Sequence, residues 1–227
     1  MANIFITGCN RGLGLEFTRQ YLKQNHKVIA TCRNIEDVKE LRELSKLGDL
    51  EVHELDVSKH EMINQLQKKL SGQAIDILIN NAGIWRGSHL GSISADDWLD
   101  SFLVNAISPI KIIEQFLPNL ELGDQKKVVS ITSKMGSIED NTSGGSYIYR
   151  SSKSALNSAM QSMRHDLINK NIATLTLHPG WVRTDMGGPG GWINVEESVS
   201  GMIEVINQLS IKNSGKYIDY AGKHIPW

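Results

Sequence analysis

The 227-residue chain has few cysteines and no long apolar run, and we expect no secretory leader. Its two cysteines, Cys9 and Cys32, are too few for a disulfide framework and leave no second pair to hold zinc, so we expect a reducing compartment and no metal site. No apolar stretch reaches the roughly 18 residues of a membrane span, and no basic region opens the sequence. These absences predict a cytoplasmic protein without membrane attachment.

The chain also has almost no net charge. The 24 basic and 25 acidic residues leave a formal net charge of -1, and like charges form no long run. This balance argues against nucleic acid or an anionic membrane as the main partner. With 40% apolar residues, a chain of this length is expected to form one domain over residues 1–227.

Short β-branched runs alternate with amphipathic stretches along the whole sequence. The runs predicted to be strands lie at residues 3–7, 27–31, 51–55, 75–80, 127–132, 172–177 and 216–219. Helices are predicted from about Gly12 and over residues 35–47, 59–70, 94–118, 147–169 and 195–209. Because this alternation implies right-handed crossovers, we predict an α/β fold: a Rossmann-like, doubly wound, mostly parallel seven-stranded sheet with helices on both faces.

Three glycines, Gly8, Gly12 and Gly14, stand between the first predicted strand and the first helix. Their spacing differs from the G-x-G-x-x-G fingerprint, but glycines at such a junction allow a tight turn and let backbone N–H groups approach a phosphate. No Gly-Lys-Ser/Thr follows, which excludes a Walker loop. A dinucleotide-binding loop is therefore favoured over an ordinary glycine-rich turn.

The second predicted strand indicates which dinucleotide fits. Folds that bind NAD commonly carry an acid about 20 residues after the glycine loop, whereas an arginine nearby suits a 2′-phosphate. No acid lies between Lys27 and Ile35; Arg33 occupies this place, and Arg11 in the loop offers a second guanidinium. NADP(H) is predicted in preference to NAD(H), and two solvated arginines are the alternative interpretation.

Tyr149 and Lys153 are four residues apart in a predicted helix, so the phenol and the ammonium share one face. A nearby cation favours the phenolate, and we therefore expect a lowered Tyr149 pKa that allows proton exchange with an alcohol or carbonyl oxygen. The alternative is a structural aromatic beside a solvated lysine. Ser133 follows a neighbouring predicted strand on the ligand side, where its hydroxyl can bond a substrate oxygen.

Several motifs, in order, resemble those of the short-chain dehydrogenase/reductase family. They are Thr7-Gly8-x-x-x-Gly12-x-Gly14, Asn80-Asn81-Ala82-Gly83, Asn105, Ser133, Tyr149-x-x-x-Lys153 and Pro179-Gly180. Within the family, the glycine loop, the run around Tyr149 and His178-Pro179-Gly180-Trp181-Val182-x-Thr184 are similar to Sniffer-type carbonyl reductases and bacterial C-factor proteins.

The resemblance implies four catalytic residues. Tyr149 would protonate the carbonyl oxygen as hydride arrives from the nicotinamide. Lys153 would lower the phenol pKa and bind the nicotinamide ribose, and Ser133 would orient the carbonyl. Asn105 would interrupt its helix and hold a water that links Lys153 to solvent, although a polar residue on an exposed turn is the local alternative.

The resemblance also implies a set of cofactor contacts. Asp56 would meet the adenine, with a cap on the next helix as the local alternative. Thr184 would meet the nicotinamide carboxamide. The complete predicted set is Gly8, Asn10, Arg11, Gly12, Leu13, Gly14, Arg33, Asp56, Val57, Asn81, Ala82, Gly83, Tyr149, Lys153, Pro179, Gly180, Val182 and Thr184.

Two segments depart from the commoner family pattern. The interval from Ser133 to Tyr149 is longer than usual, so its loop is expected to bulge beside the substrate cleft. The segment after Thr184 is short and glycine-rich, which predicts an open site with a substrate loop at about residues 185–195. Three tryptophans, each alternatively a packing residue, are candidate apolar walls: Trp85, Trp181 and Trp192.

The leading functional prediction is an NADPH-dependent oxidoreductase that reduces aldehydes and ketones to alcohols. The alternative is an NAD(P)-binding regulatory or signalling protein of C-factor type with little turnover; a pure binding module has no need of Tyr149, so the enzyme is favoured. We expect a small-molecule carbonyl substrate. The resemblance also implies a homo-oligomer, either a dimer or a tetramer.

Overall fold

The computed structural model describes residues 1–36 and 38–227. Its strands are β1 (Asn3–Ile6), β2 (Lys27–Cys32), β3 (Leu50–Glu54), β4 (Ile77–Asn80), β5 (Lys127–Ile131), β6 (Ala173–His178) and β7 (Lys216–Asp219). These described strands form one sheet in the order β3-β2-β1-β4-β5-β6-β7, and each neighbouring pair is parallel. The predicted Rossmann-like, doubly wound sheet is confirmed, and every predicted strand is present with its ends within about two residues.

The helices are α1 (Gly12–Lys23), α2 (Lys39–Glu43), α3 (His60–Lys69), α4 (Ala95–Phe102), α5 (Ser108–Gln115), α6 (Leu117–Leu122), α7 (Tyr147–Ile168) and α8 (Val195–Asn207). The helix predicted over residues 35–47 begins only at Lys39, and Asp37 lies outside the described residues. None of the helices formed by the described residues has the length and apolarity needed to span a bilayer.

The single helix predicted over residues 94–118 is divided into three. A π-helical segment, Leu103–Ile107, separates α4 from α5, and α6 follows α5 after a break at Phe116. The cause is local, because Pro109 and Pro118 have no N–H to donate to the preceding turn. The Ser108 hydroxyl donates instead to the Leu103 carbonyl at 2.7 Å.

The strands β1, β2, β4, β5 and β6 are buried on both faces, and the sheet divides the core into two apolar layers. Ile4 and Ile6 of β1 face the layer that contains Phe17 of α1 and Met202 of α8. Phe5, between them, faces the opposite layer with α3, α5 and α7. Alternate residues of a strand point to opposite faces, so one short strand supplies both layers.

The chain reverses its direction of travel across the sheet between β1 and β4. From β1 it proceeds outward to β2 and β3, and from β4 it proceeds the other way. Loops leaving the carboxyl ends of such strands diverge and leave a crevice, which is where open α/β sheets bind ligands. The glycine loop follows β1, Asn81 follows β4 and Ser133 follows β5 at this edge.

Candidate active site

A cleft of about 710 Å³ opens at the carboxyl edge of the sheet. Most of the predicted cofactor residues line it: Gly8, Arg11, Gly12, Leu13, Arg33, Asp56, Val57, Asn81, Ala82, Gly83, Tyr149, Lys153, Pro179 and Thr184. The other four, Asn10, Gly14, Gly180 and Val182, lie outside this lining. The structure therefore brings together residues from the segments after β1, β2, β3, β4 and β6 and from α1 and α7.

The glycine loop is shaped by its contact with the end of β4. Gly8 has φ +72, and a Cβ there would lie 3.0 Å from the Ala82 Cα. A Cβ on Gly14 would overlap the Gly8 carbonyl and approach the Asn81 Nδ2 to 2.6 Å. Gly14 thus permits close packing of the loop, which explains why it is absent from the cleft lining.

The side chains of Thr7 and Asn81 hold this loop against the segment that follows β4. The Thr7 hydroxyl accepts hydrogen bonds from the backbone N–H groups of Asn81 and Ala82, each at 3.0 Å. The Asn81 side-chain amide donates to the carbonyls of Thr7 and Gly8 at 2.8 and 3.0 Å. The Asn81 side chain consequently holds the loop, even though the residue also borders the cleft.

The amino end of α1 points into the cleft without an internal counter-charge. Arg11 is the N-cap residue, and within the described chain no side chain caps the helix there. The first turn contains no acidic residue. Unpaired N–H groups and the positive end of the helix dipole favour an anion at this position.

The two predicted phosphate-binding arginines differ in their surroundings. Arg33 is exposed at the carboxyl end of β2 and lines the cleft. Arg11 lines it as well, but its Nη1 donates to the Asp185 Oδ2 at 3.1 Å. Asp185 lies at the start of the predicted substrate loop, but its contact with Arg11 was missed, since a partner 174 positions away leaves no local signal.

Asp56 lies in the cleft, as predicted, and also stabilises the start of the next helix, which was the alternative interpretation. Its Oδ1 accepts hydrogen bonds from the Ser58 N–H at 3.0 Å and the Ser58 hydroxyl at 2.7 Å. This turn precedes α3, whose N-cap residue is Lys59. Asp56 therefore stabilises the entry to α3 while it borders the cleft beside Val57.

Tyr149 and Lys153 are buried on one face of α7, as the spacing predicts. The Lys153 Nζ donates to the Ile131 carbonyl at 3.0 Å and lies 5.9 Å from the centroid of the Tyr149 ring. Burial lowers the pKa of Lys153 to about 8. The lysine is thus a partner of both the end of β5 and the face of the tyrosine ring.

The predicted lowering of the Tyr149 pKa is wrong in direction. Burial raises the pKa of Tyr149 to about 12, and the interaction with the Ser133 side chain, which lowers it, is the smaller effect. Desolvation penalises the phenolate more than a hydrogen bond compensates. The phenol is consequently protonated at neutral pH.

Ser133 follows β5 and begins a 3₁₀ turn, Lys134–Gly136. Its Oγ accepts a hydrogen bond from the Met135 N–H at 3.2 Å, which leaves the hydroxyl proton free to be donated elsewhere. The Ser133 side chain also interacts with the Tyr149 phenol. The structure therefore places Ser133 after the carboxyl end of β5 and Tyr149 and Lys153 near the amino end of α7.

Asn105 lies in the π-helical segment and is fully buried, so the predicted helix interruption is present and the exposed-turn alternative is wrong. Its Oδ1 accepts from the Ile84 N–H at 2.8 Å, and its Nδ2 donates to the Ile84 carbonyl at 2.8 Å and to the Ser152 hydroxyl at 3.0 Å. A Cβ on Gly83 would lie 3.2 Å from the Asn105 Oδ1 and 3.6 Å from the Lys153 Nζ. The Asn105 Oδ1 and the Lys153 Nζ therefore both approach the side of Gly83 where a side chain would stand.

The segment after β6 folds back on itself. Val182 pairs with Ile193, and the Trp181 Nε1 donates to the Gly187 carbonyl at 2.7 Å. Trp192 packs edge-on against Trp181, with ring centroids 5.3 Å apart, and remains 82% exposed. The tryptophans proposed as walls lie outside the cleft lining, and the assignments of a substrate loop at 185–195 and of one domain over 1–227 stay predictions.

Several lining residues were missed by sequence reasoning. Arg86 donates to the Asp100 carboxylate at 2.9 Å, and both residues border the cleft. Arg86 is only three positions beyond Gly83, so its closeness to the segment 80–83 was the available signal. The other missed residues are Leu55, Ser58, Ile84, Val104, Ile131, Thr132 and Arg183, whereas Asp185, Met186 and Val195 fall within the predicted substrate loop.

Comparison with known proteins assigns the chain to a family. The model of the short chain dehydrogenases matches residues 2–190. The chain belongs to this family. It is therefore a short-chain oxidoreductase, and the resemblance inferred from the ordered motifs is confirmed.

Similar proteins include carbonyl reductases and a protein named C-signal. The carbonyl reductase Sniffer of D. melanogaster is 34% identical, with a TM-score of 0.93 over 100% of both chains. The structure of an NADPH-bound carbonyl reductase from chicken fatty liver is 33% identical, with a TM-score of 0.93 over 100% of this chain and 99% of that one. The C-signal protein of Myxococcus xanthus is 44% identical over 156 residues, 67% of this chain and 93% of that protein.

Proposed function

We propose that the protein is an NADPH-dependent carbonyl reductase that converts aldehydes or ketones to alcohols. The observation that carries this proposal is the position of Tyr149 and Lys153 in the same cleft as the glycine loop. The carbonyl reductases among its structural neighbours support the same reaction class.

The residues of the cleft fit a phosphorylated dinucleotide. The uncapped amino end of α1 suits the diphosphate, and Arg33 with Arg11 suits a 2′-phosphate. Lys153 lines the same cleft, and Thr184 lies beside Gly12 at the amino end of α1; these two residues would hold the nicotinamide half. When bound, the reduced nicotinamide supplies the hydride that adds to the substrate carbonyl carbon.

Tyr149 is the proposed proton donor. Because its pKa is raised to about 12, the phenol is protonated at neutral pH and can deliver its proton to the carbonyl oxygen. The nearby Lys153 ammonium stabilises the phenolate that remains. Ser133, whose oxygen already accepts from Met135, donates a hydrogen bond to the substrate oxygen, keeps its own proton and aligns the carbonyl.

Asn105 is proposed to support the proton path rather than touch the substrate. Its amide fixes Ile84, and its Oδ1 lies across Gly83 from the Lys153 ammonium. A water held on the free lone pair of Oδ1 would connect Lys153 to solvent. The same amide fixes the segment after β4 that borders the cleft.

The reaction is tested by the loss of NADPH absorbance against a panel of aldehydes and ketones. We expect turnover by the wild type and a loss of at least about 100-fold in kcat for Tyr149→Phe, because no other donor replaces the phenol. Tyr147→Phe is the matched control, since Tyr147 is an exposed tyrosine on the same helix. Equal activity of Tyr149→Phe and the wild type would contradict the proposal.

A regulatory role is the second candidate, and the similarity to the C-signal protein favours it. In that case the protein would bind NADP(H) with little turnover. Wild-type protein that binds NADPH but oxidises none of it with any carbonyl compound would favour this role over the reductase. The predicted dimer or tetramer is tested separately by light scattering of the purified protein.

A further inference from the structure

We propose that Tyr217 is a positioning residue that fixes the Ser133 carbonyl and thereby the direction of the Ser133 hydroxyl. This inference rests on the proposed function, because it concerns the reaction in which Ser133 takes part. Tyr217 belongs to β7, which is separated from β5 by β6. It reaches across β6 to the segment that carries Ser133.

The contact is short and fully enclosed. Tyr217 is 0% exposed, and its Oη donates to the Ser133 carbonyl at 2.6 Å. Burial raises the pKa of Tyr217 to about 12, so its hydroxyl is a permanent donor at physiological pH. The ring packs against Trp227, with centroids 5.2 Å apart, which fixes the direction of the hydroxyl.

The Ser133 carbonyl already has one local partner. The Gly136 N–H donates to it at 2.8 Å, and the Met135 N–H donates to the Ser133 Oγ at 3.2 Å. Both donors belong to the same 3₁₀ turn, so they can move together with Ser133 and do not fix it relative to the sheet. Tyr217 belongs to the sheet, so its hydrogen bond fixes Ser133 relative to the sheet.

Asn157 of α7 also holds this segment, and its side chain interacts with the Tyr217 phenol as well. Its Oδ1 accepts from the Thr132 hydroxyl at 2.7 Å, and its Nδ2 donates to the Gly136 carbonyl at 3.3 Å. Asn157 is one turn beyond Lys153 on the same helix. The peptide that carries Ser133 is therefore held between β7 and the helix that carries Tyr149.

Two hydrogen bonds to the Ser133 carbonyl fix the peptide of Ser133. They thereby fix the position from which its Cβ and hydroxyl extend towards the substrate. Small displacements of a group that aligns a reacting carbonyl are costly in rate, because catalysis depends on geometry at the transition state. Loss of the Tyr217 hydroxyl should thus affect turnover through Ser133. The ring and its packing against Trp227 are kept in a Tyr217→Phe variant, so only the contacts of the hydroxyl with the Ser133 carbonyl and the Asn157 side chain are lost.

The test is a double-mutant cycle of Tyr217→Phe and Ser133→Ala, measured as kcat and KM for carbonyl reduction. We expect Tyr217→Phe to lower kcat about fivefold to tenfold with unchanged NADPH affinity. In the Ser133→Ala background it should have no further effect, because the group it positions is gone. An equal loss in both backgrounds, or no loss in either, would overturn the proposal.

Tyr21→Phe is the matched control. Tyr21 is equally buried, and its hydroxyl has no hydrogen-bond partner in the described part of the chain. This variant should keep wild-type kcat, and thermal unfolding of each variant checks that it is folded. A comparable loss of kcat in Tyr21→Phe would show that any buried hydroxyl matters and would count against a specific role for Tyr217.

If the wild type reduces no carbonyl compound, the proposed function fails but the positioning can still be decided. Crystal structures of the wild type and Tyr217→Phe then compare the Ser133 Oγ with the Tyr149 phenol. A displaced or multiply oriented Ser133 hydroxyl in the variant supports the inference. An unmoved hydroxyl overturns it.

Discussion

Arg11 in the glycine loop and Asp185 after β6 form an ion pair across the cleft, with 3.1 Å between the guanidinium and the carboxylate. Both side chains are mostly exposed, so the pair contributes little to stability. Its consequence concerns binding, because Arg11 is one of two guanidiniums proposed for a 2′-phosphate. We therefore expect Asp185 to compete with the cofactor for Arg11.

Removing that competitor should tighten NADPH binding. We expect Asp185→Asn to lower the NADPH dissociation constant about twofold to fivefold, the range of an exposed ion pair, with the gain shrinking at high salt. Fluorescence titration measures it. Asp166→Asn, an equal charge change at an exposed site on α7, should leave the constant unchanged. Unchanged or weaker binding by Asp185→Asn would contradict the competition.

Arg33 should decide between the two coenzymes. It is exposed at the end of β2 and lines the cleft, so Arg33→Ala is expected to weaken NADPH binding about tenfold and to leave NADH binding nearly unchanged. Titrations with both coenzymes measure the ratio. Equal wild-type affinities for NADPH and NADH would exclude a 2′-phosphate site at Arg33.

The sheet and the glycine loop could be predicted because each depends on local sequence. β-branched runs such as β2 and β5 are buried on both faces, and the pattern of such strands is readable without the tertiary structure. The glycines at positions 8 and 14 were also readable, although the structure shows that Gly14 serves packing within the loop.

The properties that were mispredicted or missed depend on distant parts of the chain. The direction of the Tyr149 pKa shift follows from burial, which spacing to Lys153 does not reveal. The hydrogen bond from Tyr217 to Ser133 joins residues 84 positions apart. Tertiary packing, rather than local pattern, determines both.

Lys153 should make the kcat/KM of the reaction fall at basic pH. Because burial lowers its pKa to about 8, well below the ordinary lysine value of 10.5, the ammonium beside Tyr149 is lost as the pH rises through about 8. We expect kcat/KM to fall above that pH, since this ratio reports groups of the free enzyme. Lys153→Arg, which keeps its charge, should shift the fall to higher pH in any residual activity. A flat profile up to pH 10.5 would contradict this assignment.

His178 should make the fold sensitive to acid. Its Nδ1 is buried and has no hydrogen-bond partner among the residues that the structure describes. Burial lowers the pKa of His178 to about 4, from an ordinary value of 6.5. The unfolded chain therefore binds a proton more readily than the folded one, so stability is lost as the pH falls from 6.5 towards 4. The loss between neutral pH and about pH 5 should be on the order of 2 kcal/mol.

Replacing His178 with a side chain that cannot titrate should remove this part of the pH dependence. Thermal or urea unfolding of His178→Gln at both pH values measures it, and His165→Gln, at an exposed histidine of α7, is the control for loss of a titrating side chain. Asp219 and Asp140 face His178 and favour its charged form, whereas Lys134 opposes it. If His178→Gln loses as much stability in acid as the wild type, the buried imidazole is not the group that limits folding there.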